Sequence, residues 1–388
     1  MSKRTAVCIS ALYFLPWALQ CFVNNLMPIF VASLDFATDK TVGEVAGIGA
    51  IVTALSQLVW SYATGRAKRK GLVLALSLLM LCAASLLFLH DNMTYLQLLL
   101  FTVLFYACYM AHQPIVDTIT SETYTRTRHT FAFFRAFASL GYAVAGILIA
   151  ILPNSDPKLY FVYIAVLAAL SLVFALLHKD GESVVSEKKK KYTKLNFDFL
   201  KFSIFIFIQF FSSSILATFT GVFFTGKSHL GGDVGVFGIL LGVASIAEWL
   251  LIIALSKWTA RADARLIFLL IAACGVGRSI ILALAPSPIV AAFTFLFYPL
   301  YFALLGATAA PYIKSIVPAE SNAFAQGVFM VVSFGLGTFT GSYVGGIIAD
   351  GLGIRNMFFV VATLFAILIP LSFLLIKGKG KKAPPEET

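Results

Sequence analysis

LVLALSLLMLCAASLLFL, residues 72–89, holds eighteen residues and no charge. Its apolar residues do not alternate with polar ones, which excludes a barrel strand with one face to lipid and one to a lumen. A helix of roughly 20 apolar residues crosses the hydrocarbon core of a bilayer. It also satisfies its own backbone donors and acceptors there. This stretch reads as one crossing, and the chain repeats it.

Working outward, the same reading gives twelve segments: 6–33, 42–62, 72–89, 95–120, 131–152, 159–177, 200–225, 235–255, 264–284, 289–316, 323–348 and 356–376. The composition agrees: 60% of the 388 residues are hydrophobic and 12% charged, against about 25% charged in soluble domains. The mean hydropathy is +0.91. The expected fold is an all-α polytopic membrane protein with two six-helix bundles. It divides into an N-terminal bundle (1–177), a basic linker (178–199), a C-terminal bundle (200–376) and a tail (377–388). The linker carries the run Lys188 to Lys191, a solvated stretch that sets topology beside anionic lipid. The first apolar run follows Lys3 and Arg4 like a signal peptide, but its length marks a retained helix.

An even number of crossings puts both termini on one side. The connections on that side hold nearly all the Lys and Arg, from Lys3 and Arg4 through Arg66–Lys70 to Lys377–Lys382. The other side holds only Lys40, Lys158, Lys227 and Arg355. Basic loops stay in the cytoplasm, so both termini are expected there, in a multi-pass protein of the cell membrane. Topology thereby accounts for the net charge of +11, and no nucleic-acid partner is implied. The five cysteines all fall in apolar segments, and the five histidines are scattered. No metal-ligand or disulfide spacing results, and no cofactor is called for. Neither G-x-S-x-G nor H-E-x-x-H occurs, so an enzyme or receptor reading has nothing to stand on.

Four ionisable residues break the pattern. In HQPIVDTITSETYTRTRHTFAFFRAFASLGYAVAG, residues 112–146, Asp117 ends one helix region and Arg135 opens the next. Glu248 and Arg278 lie near the middle of the eighth and ninth segments. A charge at the centre of a membrane helix costs about 2.5–3.5 kcal/mol on insertion scales, so such residues face cavities and work. Each Arg has an acid at matching depth as a possible partner: buried charges are expected to pair, and equal depth makes contact feasible for Asp117–Arg135 and Glu248–Arg278 without showing it. Each pair is either a structural lock or a site. As a site, a guanidinium forks onto hydroxyls while a carboxylate accepts others or carries a proton. Tyr142 lies two turns beyond Arg135 on the same helix face, placed to stack on a sugar ring or simply to fill the core. In the first segment, between Pro16 and Pro28, Gln20 and Asn24 share a face and either line a cavity or bond a neighbouring helix. Small residues at four-residue spacing (Gly337, Gly341 and Gly345; Gly238 and Gly242; Gly141 and Ala145) allow close crossings.

At these residues the chain resembles the lactose permease-like oligosaccharide–proton symporter group of the major facilitator superfamily. The group has A-P-A-V-E in helix 4 and G-R-A-R-M-F-G-C-V-G-W in helix 5. This chain has QPIVD, ending at Asp117, and FFRAFASLGY, with Arg135 and Tyr142, at the same separation. G-E-L-L in helix 8 compares with AEWLL around Glu248, and S-V-R-I-I in helix 9 with GVGRSII around Arg278. Two departures stand out. Gly65 replaces the Asp of the superfamily's first basic loop, and Tyr298 and Tyr301 fall where the group has His and Glu.

The resemblance implies a secondary transporter working by alternating access. Asp117 and Arg135 would hold a sugar, and Tyr142 would replace the stacking tryptophan. Glu248 would carry a proton with Arg278 tuning it, and Tyr298 and Tyr301 would occupy the coupling positions. The expected cargo is a sugar or similar hydroxylated solute moved by proton symport. The alternative keeps the fold and carries a nucleoside or an aromatic acid, inward or outward.

Overall fold

The computed structural model describes residues 3–123, 131–153, 156–178 and 196–378. Twelve helices long and apolar enough to cross a membrane run through them. They are α1 (Thr5–Ala32), α2 (Asp39–Arg66), α3 (Lys70–Leu87), α4 (Tyr95–Glu122), α5 (Phe133–Ile151) and α6 (Leu159–Leu177), then α7 (Phe197–Thr225), α8 (Val234–Arg261), α9 (Ala264–Leu284), α10 (Pro288–Ile316), α11 (Phe324–Leu352) and α12 (Ile354–Leu375). No strand occurs among the described residues. Of the expected linker and tail, residues 179–195 and 379–388 lie outside the described residues, as do Arg126 and Arg128.

Polar side chains start the helices where hydrophobicity alone leaves the edge open. Asn196 accepts from the Phe199 amide at 2.9 Å, so α7 begins at Phe197, three residues before the expected 200. Asp233 and Asp263 cap α8 and α9 in the same way. Three helices expected to be regular throughout are not: α10 divides at Phe293 into Pro288–Ala292 and Thr294–Ile316, and α4 and α11 depart as well. α4 is two pieces, Tyr95–Tyr109 and His112–Thr123. Pro114 has no N–H for the Met110 carbonyl and its ring crowds that group, so the helix parts there. α11 widens into a π-helix over Val331–Gly337.

Within the first half, α1 packs on α5 and α6, α3 on α4 and α6, and α2 on α4. Within the second, α9 packs on α10 and α12, α8 on α10, and α7 on α11 and α12. The halves meet where α2 lies against α11, α5 against α8, and α1 against α7.

Glycines make these crossings close. A methyl group on Gly43 would lie 2.4 Å from the Ser342 carbonyl oxygen, and one on Gly146 2.5 Å from the Gly242 nitrogen. Gly238 would meet Gly146, and Gly346 would meet Gly43. Gly337, Gly341 and Gly345 serve another purpose: they seat α11 on α7 within its own half. Gly141 likewise sits on Phe14 of α1.

These inter-half glycines lie towards the face opposite the termini. Followed towards the terminal face, the same helix faces open. On α2, Gly43 and Gly47 are buried, Ala50, Ala54 and Gln57 are partly covered, and Ser61 and Gly65 are exposed. On α5, Gly146 is buried, Tyr142 is partly covered, and Ser139 and Arg135 are exposed. At 3.6 residues per turn Arg135, Ser139, Tyr142 and Gly146 lie within about 60° of each other around the axis. A lipid-facing stripe would be exposed along its whole length. This one is covered by the other half at one end and uncovered at the other. The halves therefore close at the face opposite the termini and diverge towards the terminal face, with a chamber between them.

Candidate functional site

Arg135 sits on that diverging face of α5, its side chain 55% exposed to the chamber. Its Nη1 lies 3.9 Å from Asp117 Oδ2, so the expected first pair forms, but loosely. Asp117 is on the second piece of α4, three residues past Pro114. Its other oxygen accepts a hydrogen bond from the Tyr13 hydroxyl at 2.7 Å. Tyr13 is fully buried, which fixes that carboxylate edge, while the other edge faces the Arg135 guanidinium. A pairing of 3.9 Å is too long for a good hydrogen bond. Both groups thus keep capacity for other partners.

Above this pair α1 and α4 continue as a polar wall. Tyr13, Trp17, Gln20 and Asn24 recur at helical spacing along α1. Trp17 packs edge-on against the His112 ring at 5.0 Å. The Tyr109 hydroxyl donates to Asn24 Oδ1 at 2.6 Å, and Asn24 is exposed. Gln20 Oε1 is buried with no hydrogen-bond partner among the described residues. Asn25, next on the turn, donates to the Tyr142 hydroxyl at 2.9 Å. Tyr142 is therefore anchored by its hydroxyl, with the ring two turns from Arg135 on the chamber face.

Sequence reading missed Tyr13, Trp17, Tyr109 and His112. The first two were detectable, since they extend the Gln20–Asn24 face by whole turns. Tyr109 and His112 were not, because the break at Met110 resets the phase of α4.

The second half is arranged differently. Glu248 and Arg278 do not form the expected pair: no carboxylate lies within 4.0 Å of Arg278 among the described residues. The reason is azimuth rather than depth. Glu248 shares its face of α8 with Leu241 and Ala244, and α8 packs on α10. Arg278 also looks at α10, from α9. Tyr298 of α10 is the electrostatic neighbour of both charges. Arg278 is 3% exposed, with its guanidinium carbon 4.9 Å from the Tyr298 ring centre and 5.9 Å from that of Tyr301. Its Nε has no hydrogen-bond partner among the described residues. Tyr301 is fully buried and accepts from Gln209 Nε2 at 2.9 Å. So Tyr298 and Tyr301 serve as the aromatic bed of Arg278. Tyr298 also neighbours Tyr142 across the inter-half boundary.

Elsewhere, Lys70 is buried and bonded to Glu122, tying the start of α3 to the end of α4. At the face opposite the termini, Lys158 bonds Asp91. That hydrogen bond from the ammonium holds the Asp91 carboxyl below its ordinary range.

Known proteins share this architecture. The model of the MFS_1 like family matches residues 6–360. No curated protein matches the sequence. Among solved structures, a mutant form of the nucleoside transporter NupG superposes with a TM-score of 0.83 at 15% identity, covering 96% of this chain and 100% of its own. A bacterial homolog to the human lysosomal transporter Spinster, inward-facing and unoccupied, gives 0.72 at 16% identity over 97% and 98% of the two chains. An auto-inhibited POT family peptide transporter gives 0.78 at 9% identity over 98% and 99%. At these identities the likeness is one of fold.

Proposed function

Because this chain belongs to the MFS_1 like family, and is a multi-pass major facilitator transporter, we propose that it moves a sugar or similar hydroxylated small solute by alternating access. The observation that carries this reading is the Arg135–Asp117–Tyr13 set, which borders a chamber between the halves rather than lipid. A guanidinium and a carboxylate held just beyond hydrogen-bonding distance offer donors and acceptors to the same ring of hydroxyls. Tyr142 offers an aromatic face above them, and Gln20 and Asn24 supply amide groups on the adjoining α1 wall. Alternating access then consists of opening the glycine seams at one face and closing the helix ends at the other.

In this reading the termini lie in the cytoplasm of a cell-membrane protein, and the chamber opens inward. The driving ion is the proton, carried by Glu248. This carboxylate is partly covered, and among the described residues it has no ion pair.

Uptake of labelled sugars into proteoliposomes, with and without a pH gradient, tests both claims. Solute-dependent alkalinisation of the outer medium is expected. Uptake unaffected by dissipating the gradient removes the proton from the account. Equal uptake by Arg135→Lys removes the site, because lysine lacks the planar fork.

A second reading, a nucleoside as cargo, is favoured by the aromatic lining: Trp17, Tyr142 and Tyr298 suit a planar base as well as a sugar face. The nucleoside transporter among the fold neighbours is consistent with it. Competition of sugar uptake by nucleosides separates the two.

A further inference from the structure

Arg278 is a cation sealed in protein, without a counter-ion among the described residues. The residue as a whole is 3% exposed, and its buried Nε makes no hydrogen bond to any of them. The groups around it are the rings of Tyr298 and Tyr301, with Cys274 one turn away on α9. None carries a negative charge at neutral pH. Glu248, the nearest acid in the sequence plan, is not bonded to it. A buried charge is expected to be paired, and an aromatic face is a weak substitute for an anion. The membrane helices themselves therefore do not supply the partner.

Position suggests where it comes from. One side of the Arg278 bed, Tyr298, is only partly covered and abuts Tyr142 of the other half. It is the layer between the guanidinium and the inter-half space. Gln209, fully buried, has an Oε1 without a partner among the described residues, behind the same tyrosines. The cluster already has an unused acceptor for a hydroxyl. What it lacks is negative charge. At the N-terminal half the balance is the reverse: Arg135 has its carboxylate, and the pair is neutral.

We infer that the solute carried by this protein bears an anionic group, a carboxylate or a phosphate, whose counter-charge is Arg278 once the Tyr298 ring turns aside. The inference rests on the chamber being the cargo site. A polar solute then spans the two halves, with hydroxyls on Arg135 and Asp117 and its anion towards Arg278.

Two matched pairs of probes test this on the purified full-length protein: glucose with glucuronate, and uridine with uridine monophosphate. Thermal shift gives the apparent affinity of each. The acid of at least one pair is expected to bind at least tenfold more tightly than its neutral partner. The sugar acid and the nucleotide distinguish carboxylate from phosphate. Arg278→Gln is expected to erase the preference, bringing the acid's affinity to within about twofold of its neutral partner's in the same variant, and Arg278→Lys to retain part of it.

Binding of the neutral partners alone, or an acid preference that survives in Arg278→Gln, overturns the inference and leaves the hydroxylated-solute reading standing. Inorganic phosphate that stabilises the protein as strongly as either acid also overturns it, in favour of a small-ion site. Failure of all four probes to bind overturns the hydroxylated-solute reading, and this inference with it. Should Arg278→Gln not fold, the comparison within each pair on the unmodified chain and on Arg278→Lys decides.

Discussion

Each half of the molecule places one arginine and one acid inside its membrane helices, and the two sets live in opposite surroundings. Arg135 and Asp117 meet at 3.9 Å in an open chamber, half in water. Arg278 lies dry between two tyrosines, and Glu248 lies apart from it. Equal inventory gives unequal chemistry. A solvated pair costs little to keep and is ready to exchange partners, whereas a buried lone cation is a standing destabilisation. The first half suits reversible binding of neutral polar groups. The second holds an electrostatic attraction with nothing to act on.

The comparison breaks most sharply at its open end. Arg135→Lys and Asp117→Asn should each lower uptake about 10- to 100-fold, the worth of one or two charge-assisted hydrogen bonds, with melting temperature little changed. Normal transport by either would show that the chamber pair is scenery.

Next come the seams that both halves share. Gly146→Leu must force α5 away from Gly242 and Gly238. Uptake should fall roughly tenfold. A cysteine placed at Ile149, buried in the same seam against Gly238, should become more reactive to a membrane-impermeant reagent from the far side. Unchanged labelling would mean the seam is not the closed gate.

At the dry end the sign reverses. Arg278→Met removes an uncompensated charge and should raise stability, by about 1 kcal/mol or more on the scale of buried-charge replacements, while impairing transport. A lowered melting temperature would show that the tyrosine bed satisfies the cation.

Smaller again is Glu122→Gln, which strands Lys70 at the start of α3. About 1 kcal/mol of stability should go, read as a lower melting temperature with unchanged substrate affinity.

Smallest is Asp91→Asn on the opposite face. The lowered carboxyl of Asp91 contributes stability above the ordinary carboxylate range, and that contribution vanishes as pH falls through its lowered value. The variant should melt slightly below the parent at pH 7, and the two should converge in acid.

What was legible in the sequence follows from which variables a linear pattern encodes. Length and hydropathy encode crossings, and all twelve segments appear as helices. Depth is encoded too, so Asp117 and Arg135 come together as their distances from the helix ends require. Azimuth relative to a third helix is not encoded. Glu248 and Arg278 match in depth, yet each turns to α10 rather than to the other. Continuity turns on one proline: Pro114, inside the apolar run 95–120, signals a kink, and in the fold α4 parts into two pieces there. Lys70 counted as a loop charge because the sequence places it beside Arg69. In the fold its partner Glu122 stands across from it. The glycine stripes were recognisable as contacts, but not which half they would contact. Gly341 serves its own bundle, while Gly238 serves the boundary.

The seam between Gly43 and Gly346, and between Gly146 and Gly242, joins the halves main chain to main chain. Such a junction has no rotamers to reset and little oily area to rewet on each cycle, so turnover there wears nothing out and needs little driving force. The same bareness leaves it no slack. Random single-codon changes from glycine to alanine, ordinarily among the mildest, should be among the most damaging in the chain when they strike this line. In a mutational scan it would stand out as a row of intolerant positions at the end of the molecule farthest from Arg135.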